Sequence, residues 1–396
     1  MQPPEHYDVV CVGGAMTGSS TAYFLSENPD FDGSVLVVEP DWTYHRAMTT
    51  RAQNSIREQF TNVTNIELSR FGMEFLADFH ANVQVDGDAP ELNFRGTCYL
   101  FVADTDECYD QLDAESEEQL RMGAHVEMLR PGQVADRYPY MDADVLAGAR
   151  VGSMREGSFD GWALFQGLRR RAMHNGVTYI HDRVIEIDVV GDRVAAVRLE
   201  SGRTVGCDFV VNAAGCRATS VSDMVGLPLP IEPRARTSFV FDCRSTIDEV
   251  VPLTVTPAGV HFRREQNHYM CGTVPVDDHE VDPDDLDVRH DEFVDQIWPT
   301  LAYYVPRFDR IGVVASWGGQ YDYNTLDHNV VVGPSSAVDN FLFANGFSGH
   351  GLQHGPAVGR GLSEWIVYGG YRTIDLSPLG YGRIERNEPI LEHAII

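Results

Sequence analysis

Residues Tyr7 to Glu39 constrain this chain more than any other stretch: YDVVCVGGAMTGSSTAYFLSENPDFDGSVLVVE. Asp8–Val12 is a short apolar, β-branched run, and Gly13, Gly14 and Gly18 follow at once. Ser19–Leu25 sets Ala22, Tyr23 and Leu25 in a helical pattern. Val35–Val38 reads as a second buried strand, ending in Glu39. Strand, glycine turn, helix and strand form a βαβ unit suited to the diphosphate of a dinucleotide. Glycine lets the backbone turn tightly and approach the pyrophosphate. The helix N-terminus then offers unpaired N–H groups and a positive dipole. Glu39 follows Gly18 at close to the ~20-residue spacing of the acid that binds a ribose hydroxyl. The pattern G-x-G-x-x-G falls on Gly13, Gly14, Ala15, Met16, Thr17 and Gly18, so Ala15 replaces the middle glycine. A methyl group fits there if the local φ is negative. An ordinary α/β turn is the alternative, and the strand, the helix and the acid at its distance argue against it.

A chain of 396 residues is long enough for two domains with sizeable cores. Its 43% hydrophobic and 22% charged residues are those of a globular protein. No apolar run approaches the ~18 residues of a membrane span. The start, MQPPEHYDVV, has neither a basic beginning nor a signal-type apolar core, so a cytoplasmic location is expected. The net charge of −29 argues against nucleic acid and anionic membranes as partners. All 30 basic residues are arginine. Without lysine, no lysine Schiff base or lysine ammonium can take part in catalysis. The seven cysteines are odd in number and contain no C-x-x-C pair, which fits scattered thiols in a reducing compartment. Cys11, in the first strand, reads as packing.

Beyond Glu39 the polar stretch PDWTYHRAMTTRAQNSIREQF brings Thr49, Thr50, Arg51, Asn54 and Arg57 toward the carboxyl end of the sheet, where ligands of such folds bind. A helix is predicted from about 62 to 81 and strands within 93–103. An acidic amphipathic helix follows over 104–122, then an Asp160-capped helix closed at Asn175-Gly176. Residues 177–211 read as a strand meander with hairpin turns at Gly191 and Gly202. Residues 231–273 return to an alternating β pattern, and 274–289 form an acidic loop with a short helix. Ile311–Gly319 reads as a strand running into a glycine turn. Asn340–Ala344 is a last strand, before a glycine-rich turn into a helix. Nucleotide-type segments recur at the start, middle and end, so the two domains are interleaved.

Three of these segments, YDVVCVGGAMTGSSTAYFL, DFVVNAAGCRA and NFLFANGFSGHGLQHGPAVGRGLSEWI, resemble the D-amino-acid oxidase superfamily of FAD-dependent oxidoreductases. The chain looks closest to its sarcosine oxidase and glycine oxidase branch. It is also similar to the mitochondrial FAD-dependent-oxidoreductase-domain proteins, through DWTYHRAMTTRAQNSIREQF and REGSFDGWALFQGLRRR. The resemblance implies a mixed α/β (α+β) fold: a Rossmann-type FAD-binding domain interleaved with a substrate domain on a large antiparallel sheet. The FAD domain would take 1–80, 150–225 and 325–375, and the substrate domain 81–149 and 226–324. Residues 376–396 would form a C-terminal tail.

Carried over residue by residue, Gly13 to Gly18 would hold the FAD diphosphate, and Glu39, with Pro40 beside it, the adenosine ribose. Thr49, Thr50 and Arg51 resemble the loop beside diphosphate and flavin, and Val184 the backbone contact to adenine. Ala213, Ala214 and Gly215 would pass close to the cofactor, with Gly319 also expected near it. Gly346, Phe347, Ser348, Gly349, His350, Gly351, Leu352 and Gln353 resemble the turn that meets the flavin pyrimidine edge. There a helix N-terminus favours the negative charge of the reduced ring. Two departures stand out. The region around 317–329 lacks the cysteine that attaches flavin in monomeric sarcosine oxidases, so FAD is expected without a covalent link. The lysines those oxidases use near the flavin are absent as well, and Gln353 stands in one of their places.

Arg57 aligns with the family arginine that grips a substrate carboxylate; the structural alternative is a surface ion pair. His261 and Arg263 share one face of a predicted strand, where His261 could replace a family lysine or be a satisfied sheet histidine. Tyr321 could aim its hydroxyl at substrate or simply pack. His350 and His354 have zinc-like spacing, but no metal is expected in a turn the family uses for flavin. No second dinucleotide fingerprint occurs, which favours reduction of the flavin directly by a substrate. The expected reaction is oxidation of the C–N bond of an amino acid or N-substituted amino acid. Hydride goes to flavin N5, and water hydrolyses the imine. Oxygen or an electron carrier is the acceptor. The alternatives are a 2-hydroxy acid dehydrogenase with His261 as base, and a non-catalytic flavoprotein serving as an assembly partner.

Overall fold

The run Asp8–Val12 is apolar at consecutive positions because both of its faces are covered. In the computed structural model, which describes residues 5–394, this run is part of β1 (His6–Val12), inside an eight-stranded sheet. Residues 1–4, on which the expectation of no leader partly rests, lie outside the described residues, as do 395–396 of the expected tail. Val9 and Cys11 point into a cluster with α1 (Met16–Ser26) and the helix Gly351–Tyr368. Val10 and Val12 point the other way, into the cluster beneath the meander. Burial pushes the Cys11 thiol up to about 12, which leaves it inert packing.

Parallel partners flank β1: β2 (Val35–Glu39) on one side and Thr204–Asn212 on the other. Phe341–Asn345 joins the far half of Thr204–Asn212, also parallel, and Val331–Pro334 pairs antiparallel with it. The segment expected as one meander is divided. Val184–Val190, Arg193–Leu199 and Thr204–Asn212 do run antiparallel in succession. Thr178–His181 instead lies beside β2 and parallel to it. It is delivered there by the helix Gly161–His174, since a parallel strand needs a crossover. The Asp160 carboxylate caps that helix by accepting the Ala163 N–H at 3.0 Å. The helix expected over 62–81 is also two, Val63–Ala77 and Phe79–Val83, because Asp78 leaves helical geometry with φ −102° and ψ 18°.

The second sheet has eight strands in the order 311–324, 231–243, 268–272, 261–265, 253–255, 99–103, 148–152 and 126–129. Its neighbours are antiparallel except Leu253–Val255 and Tyr99–Ala103, which pair in parallel where the two strand groups meet. No turn forms at Gly318-Gly319. The strand Ile311–Asn324 runs straight through, paired with Ile231–Cys243 along its length. A Cβ at Gly318 would overlap the Leu286 carbonyl, and one at Gly319 would crowd Arg51. These glycines therefore admit neighbouring backbone rather than reverse the chain. Tyr321 and Asp322 thus sit on a strand that reaches from the second sheet to the first.

The 376–394 region is ordered onto the first sheet. Arg383 forms a bidentate pair with Asp327, at 2.7 and 3.1 Å, and donates to the carbonyls of Asn329 and Val330. Among the described residues no helix is long and apolar enough to cross a membrane. Arg383 is 3% exposed and Asp327 fully buried. Arg383→Ala should leave an unpaired buried charge and cost about 3–5 kcal/mol of stability. Chemical denaturation checks this; an unchanged midpoint would contradict it.

Candidate functional site

A cavity of about 960 Å³ opens where β1, β2 and Thr204–Asn212 end and the second sheet begins. Its walls are built from the glycine turn upward. Gly13 has φ +100°, and a Cβ there would overlap the Ala213 carbonyl. Only glycine brings these two backbones together. Ala15 has φ −74°, the negative value its methyl group requires, and lines the cavity with Met16 and Thr17. It is also the N-cap of α1, with no side-chain cap bond, and the first turn has no acidic residue. The N-terminal amides of α1 are therefore not capped by the chain's own side chains, apart from Met16, whose N–H meets Thr49 Oγ1 at 3.3 Å.

Glu39, 8% exposed, ends β2 at the cavity edge. Its carboxylate accepts the N–H groups of Gly14 and Asp41, each at 2.8 Å, while burial pushes its pKa upward. Pro40 and Val184 line the wall beside it, and Ala213, Ala214 and Gly215 the floor. Thr49, Arg51 and Gly319 come next, then Phe347, Gly349, His350, Gly351, Leu352 and Gln353 from the last turn. This arrangement fits FAD. A glycine-lined cradle faces an uncapped helix N-terminus, and a carboxylate with spare lone pairs sits at the cavity edge. Glu39 and Val184 would hold the adenosine, Gly13 to Thr17 the diphosphate, and the last turn the flavin.

Six expected residues do not line the cavity. Gly14 turns its N–H to Glu39, and Gly18 packs against the Gly13 carbonyl, so both shape the turn from behind. The Thr50 hydroxyl donates to the carbonyls of Tyr44 and Ala47 at 2.6 and 2.9 Å, which turns it to a shallower neighbouring recess. Gly346 and Ser348 donate their N–H groups to Asp322, bracing the last turn. Arg263 does share a face with His261, since both meet Gln53. Its guanidinium, however, is held by Glu265 and by the Gln53 carbonyl at 2.8 Å, outside the cavity wall.

Arg57 lines the cavity at 1% exposure, but its fork is not open. Nη1 donates to the Gln59 carbonyl, and Nη2 meets both the Ala394 carbonyl and His350 Nε2. The guanidinium lies 4.1 Å over the Phe60 ring, away from any surface ion pair. The guanidinium is thus occupied by internal partners, one of which comes from the opposite end of the chain. That segment is anchored by Glu392, which is fully buried. It accepts from Thr61, Asn62 and Asn65.

His261 also lines the cavity, with Nε2 3.1 Å from Gln53 Oε1. Burial, aided by the nearby Arg263 and Arg236, lowers its pKa to about 4. Tyr321 lines the wall with its ring against Gly349 and the Arg236 guanidinium 4.8 Å above it. His350 and His354 point to different partners, Arg57 and Ser69. Among the described residues no group of three or more His, Cys, Asp or Glu could hold a metal ion.

Sequence reasoning passed over Gln53, Tyr99 and Asp322, which line the same cavity. Gln53 lies in an aperiodic loop that carries no signal. Asp322 was hidden by the supposed glycine turn before it, although strand alternation from Gln320 places it inward. Gly13→Ala should abolish FAD binding while the apoprotein stays folded, because the methyl group meets the Ala213 carbonyl at a positive φ. Flavin fluorescence titration with circular dichroism as the folding control measures both; full FAD occupancy would rule out this turn as the cradle.

The model of the family described as FAD dependent oxidoreductase (DAO) matches residues 8–365. The chain is 37% identical over 429 aligned positions to FAD-dependent oxidoreductase domain-containing protein 1 of Xenopus laevis, covering 100% of this chain and 86% of that protein. It is 28% identical to sarcosine oxidase subunit beta of Rhizobium meliloti, covering 93% and 86% of the two. Among solved structures, L-proline dehydrogenase from P. horikoshii has the same fold. The TM-score is 0.85 and the identity 22%, over 98% of this chain and 100% of that one. With a glycine cradle, an uncapped helix and a two-sheet cavity in place, the chain belongs to the DAO family of FAD-dependent oxidoreductases.

Proposed function

We propose that this protein oxidises the C–N bond of an amino acid, most simply one with a secondary amine, with non-covalently bound FAD. The observation that carries the reading is the setting of His261: it is buried, and its Nε2 faces Gln53 Oε1 at 3.1 Å, an oxygen that can only accept, so that nitrogen carries the proton. Oxidation of a hydroxy acid needs a base for the hydroxyl proton. A buried imidazole with a pKa of about 4 binds that proton poorly near neutrality. A neutral amine needs no such base. Sarcosine oxidase subunit beta and L-proline dehydrogenase, named for N-substituted amino acids, support the same choice. On this reading 1–80, 150–225 and 325–375 form the FAD-binding domain, and 81–149 and 226–324 the substrate-binding domain.

When bound, the flavin supplies the hydride acceptor. The chain supplies orientation and a dry site. Arg57 takes the substrate carboxylate by giving up the neutral Ala394 carbonyl, a favourable exchange because charge-assisted bonds are stronger. Phe60 and Tyr99 keep the guanidinium flanked by aromatic rings. His261 and Gln53 hold the opposite wall as a neutral pair. Tyr321 and Gln353 close the ends of the substrate space. Gln353 is itself fixed, since its Oε1 accepts the Arg57 N–H at 2.9 Å.

Anaerobic mixing with a panel of amino acids should bleach the yellow protein with secondary amines and leave it yellow with 2-hydroxy acids; the reverse pattern would overturn the reading. Arg57→Ala should weaken binding of a bleaching carboxylate substrate by about 2–5 kcal/mol with the flavin spectrum intact. Arg57→Lys should recover only part of this, since an ammonium lacks the fork.

The electron acceptor follows from the same histidine. The chain has no lysine, Arg263 is turned away, and His261 is uncharged above a pH of about 4. No fixed cation is therefore available from these positions to steady superoxide as it forms. Stopped-flow reoxidation should be slow with oxygen and faster with an artificial acceptor. Fast oxygen reaction that disappears in His261→Ala would reverse this assignment.

A further inference from the structure

Asp322 is 3% exposed on the strand Ile311–Asn324 and lines the cofactor cavity. Its Oδ2 accepts the Gly346 N–H at 2.8 Å, and the Phe347 N–H is also directed at its carboxylate. Its backbone carbonyl accepts the Ser348 N–H at 3.1 Å. Two residues on, the Asn324 N–H donates to Ser348 Oγ at 3.0 Å. The turn held this way is not a restful one. Gly346, Ser348 and Gly349 have φ of +80°, +49° and +97°, and Ser348 bears a side chain in that region. A turn of this kind keeps its shape when its surroundings fix it. Here the fixing groups sit on a strand of the other sheet.

We propose that Asp322 is the positioning residue for the 346–350 turn, and that its charge sets the reduction potential of the flavin held against that turn. The proposal rests on FAD being the occupant of this cavity. A flavin that takes up two electrons and one proton carries a negative charge. A carboxylate in the same low-dielectric wall opposes that charge and lowers the potential.

The surroundings leave Asp322 without a cation to neutralise it. Pro233 lies opposite it on the paired strand, and Ile231 and Ala235 share that face, so this side is uncharged. The turn after Thr204–Asn212 contributes the Cys216 thiol, whose ionisation burial strongly opposes. Arg217 beside it is paired with Asp284. Arg51, from the helix Met48–Arg51, is spent on the carbonyls of Gly318 and His45. His350, in the turn itself, meets Arg57, and burial holds it neutral.

Burial raises the Asp322 pKa to about 6. The sign follows. Above that pH the carboxylate is charged and holds the potential down; below it the group is neutral and the restraint is gone. By linkage, reduction of the flavin must in turn raise the affinity of Asp322 for a proton.

The test is the midpoint potential of the purified flavoprotein, read by equilibrium reduction against a redox dye. Asp322→Asn keeps a carbonyl for the Gly346 N–H and removes the charge. Its FAD content is measured by flavin absorbance, so that the potential is read on loaded protein. Its potential at about pH 8 should rise by at least about 30 mV, a tenfold shift for a two-electron couple. At about pH 5 the two proteins should converge. Asp322→Ala, which also removes the acceptor, should release FAD faster in a flavin-fluorescence assay. The wild type alone gives a second reading: its potential–pH line should break near the Asp322 pKa. Equal potentials for the asparagine variant and wild type at about pH 8, or a wild-type line without a break, would overturn this proposal alone. A wild-type protein that takes up no FAD would overturn both it and the reading it rests on.

Discussion

The meeting of Gly13 with the Ala213 carbonyl is the contact on which the rest of the site depends. It joins the end of β1 to the end of Thr204–Asn212, two strands separated by nearly the whole first half of the chain. Because no Cβ intervenes, α1 starts close to both strands, and its amides face the gap between them. Gly18 repeats the device one turn later against the Gly13 carbonyl. With two glycines spent on packing, the position of the helix N-terminus does not depend on a glycine at position 15. An alanine at position 15 is then harmless, since its φ of −74° is one any residue adopts. The departure from the usual fingerprint falls at the one site where the geometry tolerates it.

Much of this was legible in the sequence because it is local. A βαβ unit announces itself through adjacent residues, and the acid at the end of β2 through a fixed spacing. The Asp160 cap and the glycine reversals of the meander were visible for the same reason. What failed was non-local. Gly318-Gly319 read as a turn because glycine pairs often are one. The Leu286 carbonyl that requires Gly318 comes from a distant acidic loop, and Gly319 makes room for Arg51. Arg57 was found by its motif, yet its partners, Gln59, His350 and Ala394, span the chain, and no spacing foretold the last. Arg263 was correctly placed on the face of His261. Its guanidinium was lost to Glu265, a neighbour two positions along that alternation should have flagged.

Behind the cavity a network of buried polar groups ties the segment Arg57–Gln59 to its neighbours. Glu156 accepts the N–H groups of Glu58 and Tyr99 and the Gln59 amide, all within 3.0 Å. Arg150 donates to Gln59 Oε1 at 2.9 Å and pairs with Glu115. Gln59 in turn receives Arg57. The segment Arg57–Gln59 is thus held on both sides while the guanidinium points along the cavity wall. Buried pairs of this kind stabilise little in net terms, and breaking one leaves a charge stranded. Their use here is positional: with Gln353, they hold the backbone of Arg57 and Glu58 and the side chain of Gln59 in place.

This frame shows how a chain without lysine and with a large acidic excess keeps most charge in its site tied or neutral. The acidic residues are mostly outside, on the helix Asp106–Arg121 and the loop that carries Asp278 and Asp284. Inside, the ionisable groups are made neutral or tied. His261, His350 and His354 are pushed toward their uncharged forms by burial, and Arg236 is paired with Asp278. A low-dielectric wall magnifies whatever charge remains. Two groups stand out there, Arg57 at the substrate end, held by neutral partners, and Asp322 under the last turn, with no cation beside it. On the proposed reading, the cation would orient a carboxylate and the anion would tune an electron carrier. The fold reaches this by tying or neutralising the other ionisable groups rather than by adding new ones.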